Sequence, residues 1–336
     1  MAKTVKMADI AARLNVSTVT VSKALSGQKG VSEEVREKIK QLAAQMGYQK
    51  PMSQLPGKPS SFNIGVIVPS GYIEKYETFY WEMYQEINAS AAQNNSFVML
   101  EMIPYEDERQ NLPPKLLREN KVDALIVMGG LRDSYLRMIR EHYSTPTVFL
   151  DFYDAAINED SVISNSFYGA FQETNYLLSK GHRRIAFVGT VLSTNSITDR
   201  YFGYVKAMTE HGEAIREDWR IDDRDRDRRC YETLPLPADM PTAFVCNCDM
   251  TASRLIRSLQ EAGYRVPEDI SVVGFDDFLY PGLCEIPLTT YSVNMSKMAD
   301  SAVKLLVKKM NGRETNCGMH MVEGHFVERA SVKPLK

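Results

Sequence analysis

From Phe62 onward the chain alternates short, mostly apolar and β-branched runs with longer amphipathic stretches, and this rhythm limits the fold more than any other feature. The runs are Asn63–Val68, Phe97–Ile103, Ala124–Met128, Thr147–Leu150, Arg184–Val188, Ala243–Cys246 and Ser271–Phe275. A strand that is apolar on both faces must be covered on both faces, and strands separated by helix-length crossovers pair in parallel. The expectation is an α/β body of doubly wound parallel sheets, without an internal repeat at a fixed period.

The first sixty residues follow a different rule. Ile10, Ala11 and Leu14 share one helical face, and Asn15-Val16 interrupts the pattern. Asparagine tolerates the left-handed backbone that a tight turn requires. Ser17 then suits an N-cap, its hydroxyl accepting from a backbone N–H two or three residues on, and a second helix runs to about Leu25. Val16, Val21 and Leu25 turn inward. Thr18, Val19, Ser22 and Lys23 turn outward, with Thr20 near the edge of that face. A third helix starts at Ser32, with Glu33 and Glu34 favouring its dipole, Val35, Ile39, Leu42 and Met46 as its buried stripe and Gly47 as its stop. Each helix alone is too short to be stable, so the three pack as a small domain that displays a two-helix corner.

Charge separates the same two regions. Residues 1–60 hold ten basic and four acidic side chains, a net +6, whereas the remaining 276 residues hold 30 basic and 39 acidic ones, a net −9. A basic head on an acidic body is the pattern expected when only the head meets phosphate. Short polar and β-branched side chains on the first turn of the second helix suit the major groove, where they reach base edges and thymine methyls. With Lys6 and Lys29, the residues Ser17, Thr18, Val19, Thr20, Ser22 and Lys23 form the candidate DNA-contacting set. Residues 49–61 carry three prolines and a glycine, the composition of a linker.

Several functions find no support. The chain lacks G-x-G-x-x-G, a Walker loop, H-E-x-x-H and G-x-S-x-G, so an enzyme is not expected. His142, His182, His211, His320 and His325 fall on separate segments, and Cys246 and Cys248 form a C-x-C pair with no second pair nearby, so neither a metal nor another cofactor is expected. The five scattered cysteines suit reduced thiols in a cytoplasm, and neither an apolar run of membrane-spanning length nor a secretory segment is apparent.

The run Val5 to Ala11, then Asn15 to Leu25, then Val31-Ser32 and Gly47-Tyr48 resembles the headpiece of the lactose-repressor/galactose-repressor (LacI/GalR) family. That family usually has arginine where Lys23 stands, so a point charge here replaces a bidentate fork. The resemblance continues through Gly181-His182-Arg183-Arg184-Ile185-Ala186-Phe187, Asp199-Arg200-Tyr201-Phe202-Gly203-Tyr204, Val266 to Asp277 and Leu288-Thr289-Thr290. It implies a helix-turn-helix headpiece over residues 1–48, a hinge over 49–61 and a periplasmic-binding-protein-like body over 62–336. One lobe would comprise about 62–164 with 293–320, the other about 165–290 with 321–336.

The resemblance also implies a cytoplasmic homodimer, a repressor whose affinity for double-stranded operator DNA is set by a small carbohydrate-like effector. Leu55 is its candidate for the hinge leucine that wedges into the minor groove. Arg200 and Asp276 match effector-binding positions, as do Asp151 and Ser196, and a donor fork beside an ionised acceptor can read vicinal hydroxyls. Asp249 matches a family aspartate, whereas Cys248 stands where asparagine is usual and Asn247 alternates to the other face. Tyr72 and Phe79 are expected at the cleft mouth, and Arg224 and Asp225 are outlying candidates. Two other readings stay open: a sugar-binding or sugar-processing protein without regulatory DNA binding, and a regulator controlled together with a partner protein.

Overall fold

The computed structural model describes residues 7–14, 16–25, 31–46, 61–73, 78–225, 229–278, 282, 284–312 and 318–335. The chain divides into a unit ending at Ser61 and a unit beginning at Phe62. In the first, helices α1 (Met7–Leu14), α2 (Thr18–Leu25) and α3 (Glu33–Gln45) enclose Ile10, Ala11, Val21, Ala24, Ile39 and Ala43. Leu14, Val16, Leu25, Val35, Leu42 and Met46 pack around that centre, as the helical spacing requires. The Ser17 hydroxyl accepts from the Thr20 N–H at 3.1 Å, the cap expected of it. Arg36 of α3 is buried and donates to the Ala24 carbonyl at 3.3 Å, which places a cation at the C-terminal end of α2, where the helix dipole favours one. The expected turn at Asn15, the stop at Gly47 and the hinge with Leu55 lie outside the described residues.

The second unit has two parallel sheets. The first combines β1 (Phe62–Pro69), β2 (Ser96–Ile103), β3 (Ala124–Met128), β4 (Thr147–Leu150), β5 (Asp160–Ser164) and β11 (Met319–Val322) in the order β11-β5-β4-β3-β1-β2. Its strands alternate between two cores. Ile64, Val66, Val68, Ala124, Ile126 and Met128 meet α4 (Phe79–Gln93) and α11 (Met295–Met310), while Ile67, Leu125 and Val127 meet α6 (Lys115–Arg118) and α7 (Asp133–His142), which follow the short α5 (Tyr105–Arg109) in the chain. The second sheet runs β7-β6-β8-β9, from β6 (Ile185–Val188), β7 (Arg220–Ile221), β8 (Ala243–Cys246) and β9 (Ser271–Val273). Helices α8 (Ser166–Ser179) and α9 (Asn195–Glu210) cover one face and α10 (Asp249–Glu261) the other. Among the described residues no helix is long and apolar enough to cross a membrane.

Three segments cross between the lobes: Ser164 to Ser166, β10 (Thr290–Ser292) into α11, and β11 into β12 (His325–Val327). β10 and β12 pair antiparallel, and Asn165 donates from its backbone to the Val322 carbonyl at 3.1 Å and from its amide to Glu323 at 2.9 Å. The Tyr291 hydroxyl accepts from the Gly324 N–H at 2.9 Å, so all three crossings are joined to one another. The last crossing falls after Val322 rather than at the expected residue 320, because Met321 and Val322 still pair with Ile163 and Ser164.

Helices α8 and α9 approach until a Cβ added at Gly203 would lie 2.2 Å from the Phe167 carbonyl oxygen. Gly203→Ala should therefore force the helices apart and cost about 1–3 kcal/mol, read as a lowered melting temperature of the full chain. An unchanged melting temperature would mean that the helix pair yields without strain.

Candidate functional site

Helix α9 begins at a Thr194 cap, whose hydroxyl accepts from the Ile197 N–H at 3.1 Å, and this fixes the direction in which Arg200 points. Arg200 is buried between the lobes, its Cζ 3.7 Å from the centroid of the Phe275 ring. Each guanidinium nitrogen has a partner. Nε donates to Ser166 Oγ at 3.3 Å, one terminal nitrogen donates to the Asn247 carbonyl, and the other lies 3.1 Å from Asp276 Oδ1. Asp276 follows β9 on a backbone with φ of 103°, a region that non-glycine residues rarely occupy, and Asp277 and Asp151 also have positive φ. Burial pushes the Asp276 carboxyl up to about 7 against the opposing pull of Arg200, with the Asp151 carboxylate adding to the rise.

Asp151, just beyond β4, accepts from the Tyr80 hydroxyl at 2.7 Å. A small cavity opens beside it, lined by Asp151, Phe152, Tyr153, Ile163, Ser164, Ser166, Asn195, Ser196 and Asp199. Ser196 lies 3.1 Å from Thr194 Oγ1 on that wall. Asp199 accepts from the Tyr153 hydroxyl at 3.2 Å. Burial raises both Asp151 and Asp199 from their ordinary value, against the pull of Arg200 and of their tyrosine partners. The structure thus brings Asp151, Ser196, Arg200 and Asp276 to one junction.

Asp249, expected at the effector site, accepts one hydrogen bond at each oxygen: Oδ1 from the Thr290 hydroxyl at 2.8 Å and Oδ2 from the Phe278 N–H at 3.0 Å. A Cβ at Gly274 would lie 2.0 Å from Asp249 Oδ1, so glycine is needed for this contact. Asp249 therefore holds the 274–278 turn that carries Asp276. Asn247 turns into the second lobe, donating to Asp223 at 2.8 Å and to the Val188 carbonyl at 3.1 Å, while Cys248 caps α10 through its sulfur. Arg224 forks onto Asp223, at 3.0 and 2.7 Å. Burial alone would push Asp223 up, but Arg224 and the hydrogen bonds around it hold the carboxyl well below its ordinary value.

Of the aromatics, Tyr72 stacks on Tyr80 with ring centroids 4.6 Å apart, and Phe79 meets Phe278 edge-on at 6.4 Å across the lobes. Tyr80, Tyr153, Asp199 and Ser166 were not singled out from the sequence. The available signal was adjacency: Asp199 precedes Arg200, and Tyr153 follows Asp151 by two residues just beyond a strand end.

In the first unit, Ser17, Thr18 and Lys23 are exposed and Thr20 is partly so, all on the start or outer face of α2. Val19 and Ser22 belong to the same helix, but their side chains, together with Lys6, Lys29 and Leu55, lie outside what the structure describes.

Residues 6–50 match the family model described as bacterial regulatory proteins, lacI family, and residues 174–332 match that of a periplasmic binding protein-like domain. Head and body together match the make-up of the LacI family, to which the chain is similar over its length. The HTH-type transcriptional repressor CytR of Escherichia coli strain K12 is 26% identical, over 98% of this chain and 96% of that protein. The ribose operon repressor of Haemophilus influenzae is also 26% identical, over 98% and 99%. Among solved structures, a transcriptional regulator CelR-cellobiose complex superposes with a TM-score of 0.68 at 23% identity, covering 97% of this chain and 99% of that one. A lac repressor dimer bound to operator and the anti-inducer ONPF gives 0.66 at 24%, covering 98% and 100%. Like its LacI-family relatives, the chain is a DNA-binding transcriptional regulator with a ligand-binding body.

One buried group stands out beneath the LacI-family site. Glu173 of α8 is fully buried, and among the described residues neither carboxyl oxygen has a well-formed hydrogen bond, the Tyr291 backbone being the nearby donor. Burial, reinforced by the Asp249 carboxylate, raises it well above the carboxylate range. The folded state then holds a proton that the unfolded chain releases above about pH 4.3, so stability falls as pH rises from there. Glu173→Gln should flatten the melting temperature against pH and raise it at pH 8 by about 2–4 °C, with little change at pH 4. A parallel fall in both proteins would show that Glu173 does not carry this slope.

Proposed function

We propose that this LacI-family regulator is a cytoplasmic repressor that reads operator DNA as a homodimer and answers to a small carbohydrate-like effector held at the lobe junction. The observation that carries the reading is the buried Arg200–Asp276 pair, at 3.1 Å, beside a cavity walled by Asp151, Ser196 and other hydroxyl and carboxyl groups. A planar donor fork and several acceptors around a small space match the vicinal hydroxyls of a sugar. The ribose operon repressor and the CelR-cellobiose complex support a sugar as ligand class.

In this reading Arg200, Asp276, Asp151 and Ser196 touch the effector, Tyr72 and Phe79 close the aromatic side, and Asp249 acts as a positioning residue. The headpiece contacts DNA through Ser17, Thr18, Val19, Thr20, Ser22 and Lys23, with Lys6 and Lys29 on phosphate and Leu55 as the minor-groove wedge. The edge strand β2 leaves Phe97 69% and Met102 49% exposed, an apolar edge suited to self-pairing, and the lac repressor dimer supports such a pair. Ligand binding shifts the arrangement of the lobes only by its differential affinity for the two states, so a variant that cannot bind it stays in the operator-bound state.

The test uses the full chain and a DNA site selected from a random-sequence pool. Operator affinity should fall steeply with salt, as phosphate contacts require. Mono- and disaccharides screened by thermal shift should yield a ligand that releases the DNA. Arg200→Ala and Asp276→Asn should each weaken that response by about thirtyfold or more while leaving operator affinity within about threefold. Unaltered sensitivity in both variants would place the effector elsewhere.

A further inference from the structure

The cavity beside Arg200 has an unbalanced charge. Asp151 and Asp199 stand on its walls and Asp276 lies next to it, while no lysine or arginine is among its described lining residues; Arg200 pairs with Asp276, which the Arg224 charge also reaches. Arg200 is already engaged at every nitrogen, by Ser166, the Asn247 carbonyl and Asp276. The hydroxyl donors nearest the two wall carboxylates are engaged too: Tyr80 donates to Asp151 at 2.7 Å and Tyr153 to Asp199 at 3.2 Å. Arg224, a partly buried guanidinium of the second lobe that is not among the lining residues, forks onto Asp223 through Nε and one terminal nitrogen. Serine hydroxyls and the Asn195 amide on the walls can donate, but the charged groups there are both carboxylates, each with about four acceptor sites and one tyrosine donor.

Resting on the sugar-effector reading above, we infer that Asp199 is a specificity-determining residue and that the site admits only ligands presenting hydroxyl or amine donors there, excluding phosphate esters and sugar acids. A hydroxyl or ammonium group supplies the donors that Asp151 and Asp199 lack. A phosphate or carboxylate in the same place would meet like charge from two walls with no cation among the described lining residues to offset it, a juxtaposition that disfavours binding. Asp199 is suited to this role because it stands one residue before Arg200 on α9, so the residue that neutralises the effector acceptor Asp276 and the residue that repels anions are placed by the same helix turn.

The experiment titrates the full chain by calorimetry, at matched ionic strength, with related probes: glucose, glucosamine, glucose 6-phosphate and glucuronate; ribose and ribose 5-phosphate; and cellobiose. Arg200→Ala serves as the control for binding elsewhere on the chain. Supporting the inference, at least one hydroxyl- or amine-bearing probe binds, and its phosphate or acid counterpart binds about thirtyfold more weakly or not at all. Asp199→Asn, or Asp199→Ser if the amide does not fold, should then narrow that gap at least about threefold, while Tyr153→Phe, which keeps the carboxylate, should preserve it. Tight binding of a phosphorylated or acidic probe that Arg200→Ala abolishes would overturn the exclusion and leave the sugar-effector reading standing. A gap that persists unchanged in Asp199→Asn would remove Asp199 from the role. If no probe binds, the sugar-effector reading fails and this inference fails with it.

Discussion

The body of this protein is organised around one guanidinium. Arg200 touches Ser166 at the first crossing between the lobes, the Asn247 carbonyl at the end of β8 and Asp276 just beyond β9, while its face rests on Phe275. A charge buried this deeply is tolerated only when its hydrogen bonds are satisfied, so the positions of these partners are mutually constrained. Displacing any one leaves either the cation or a buried acceptor unpaired. The left-handed backbone at Asp276 and the clamp that Asp249 places on the neighbouring turn belong to the same constraint, since they hold a carboxylate where the fork can reach it.

Much of this was legible from residue order, and the exceptions have physical causes. Ala124–Met128, Thr147–Leu150 and Ala243–Cys246 were read to the residue because both faces of these strands meet apolar cores, which leaves an unbroken hydrophobic run. β5 was missed because Asp160, Ser161 and Ser164 are polar. They are buried all the same, with Asp160 3.0 Å from both Lys309 and His320, an arrangement that depends on residues roughly 150 positions later in the chain. β11 and β12 were missed as well, being short and carrying exposed or half-exposed side chains.

At the site, position was easier to read than orientation. Strand ends and helix starts identified Asp151, Arg200 and Asp276, because loops at the C-terminal ends of parallel strands converge on one edge. They did not reveal that Tyr80, rather than its neighbours Tyr72 and Phe79, would hydrogen-bond to Asp151, since that choice depends on how α4 is rotated against β4. For Asp249 the family position was legible and its partners were not: the hydroxyl of Thr290 that donates to one of its oxygens is 41 residues away in sequence.

The triple crossing has a consequence for how such a protein can be rebuilt. Each lobe is assembled from discontinuous stretches of chain, and the crossing segments hydrogen-bond to one another, so neither lobe can be inherited, transplanted or duplicated by itself with a single cut on either side. The three-helix head is joined to the rest by one stretch of backbone ending at Ser61. Recombination can therefore exchange the head as a cassette, whereas new ligand preferences must arise by point substitution within an indivisible body. The topology alone assigns different modes of change to the two halves of the molecule.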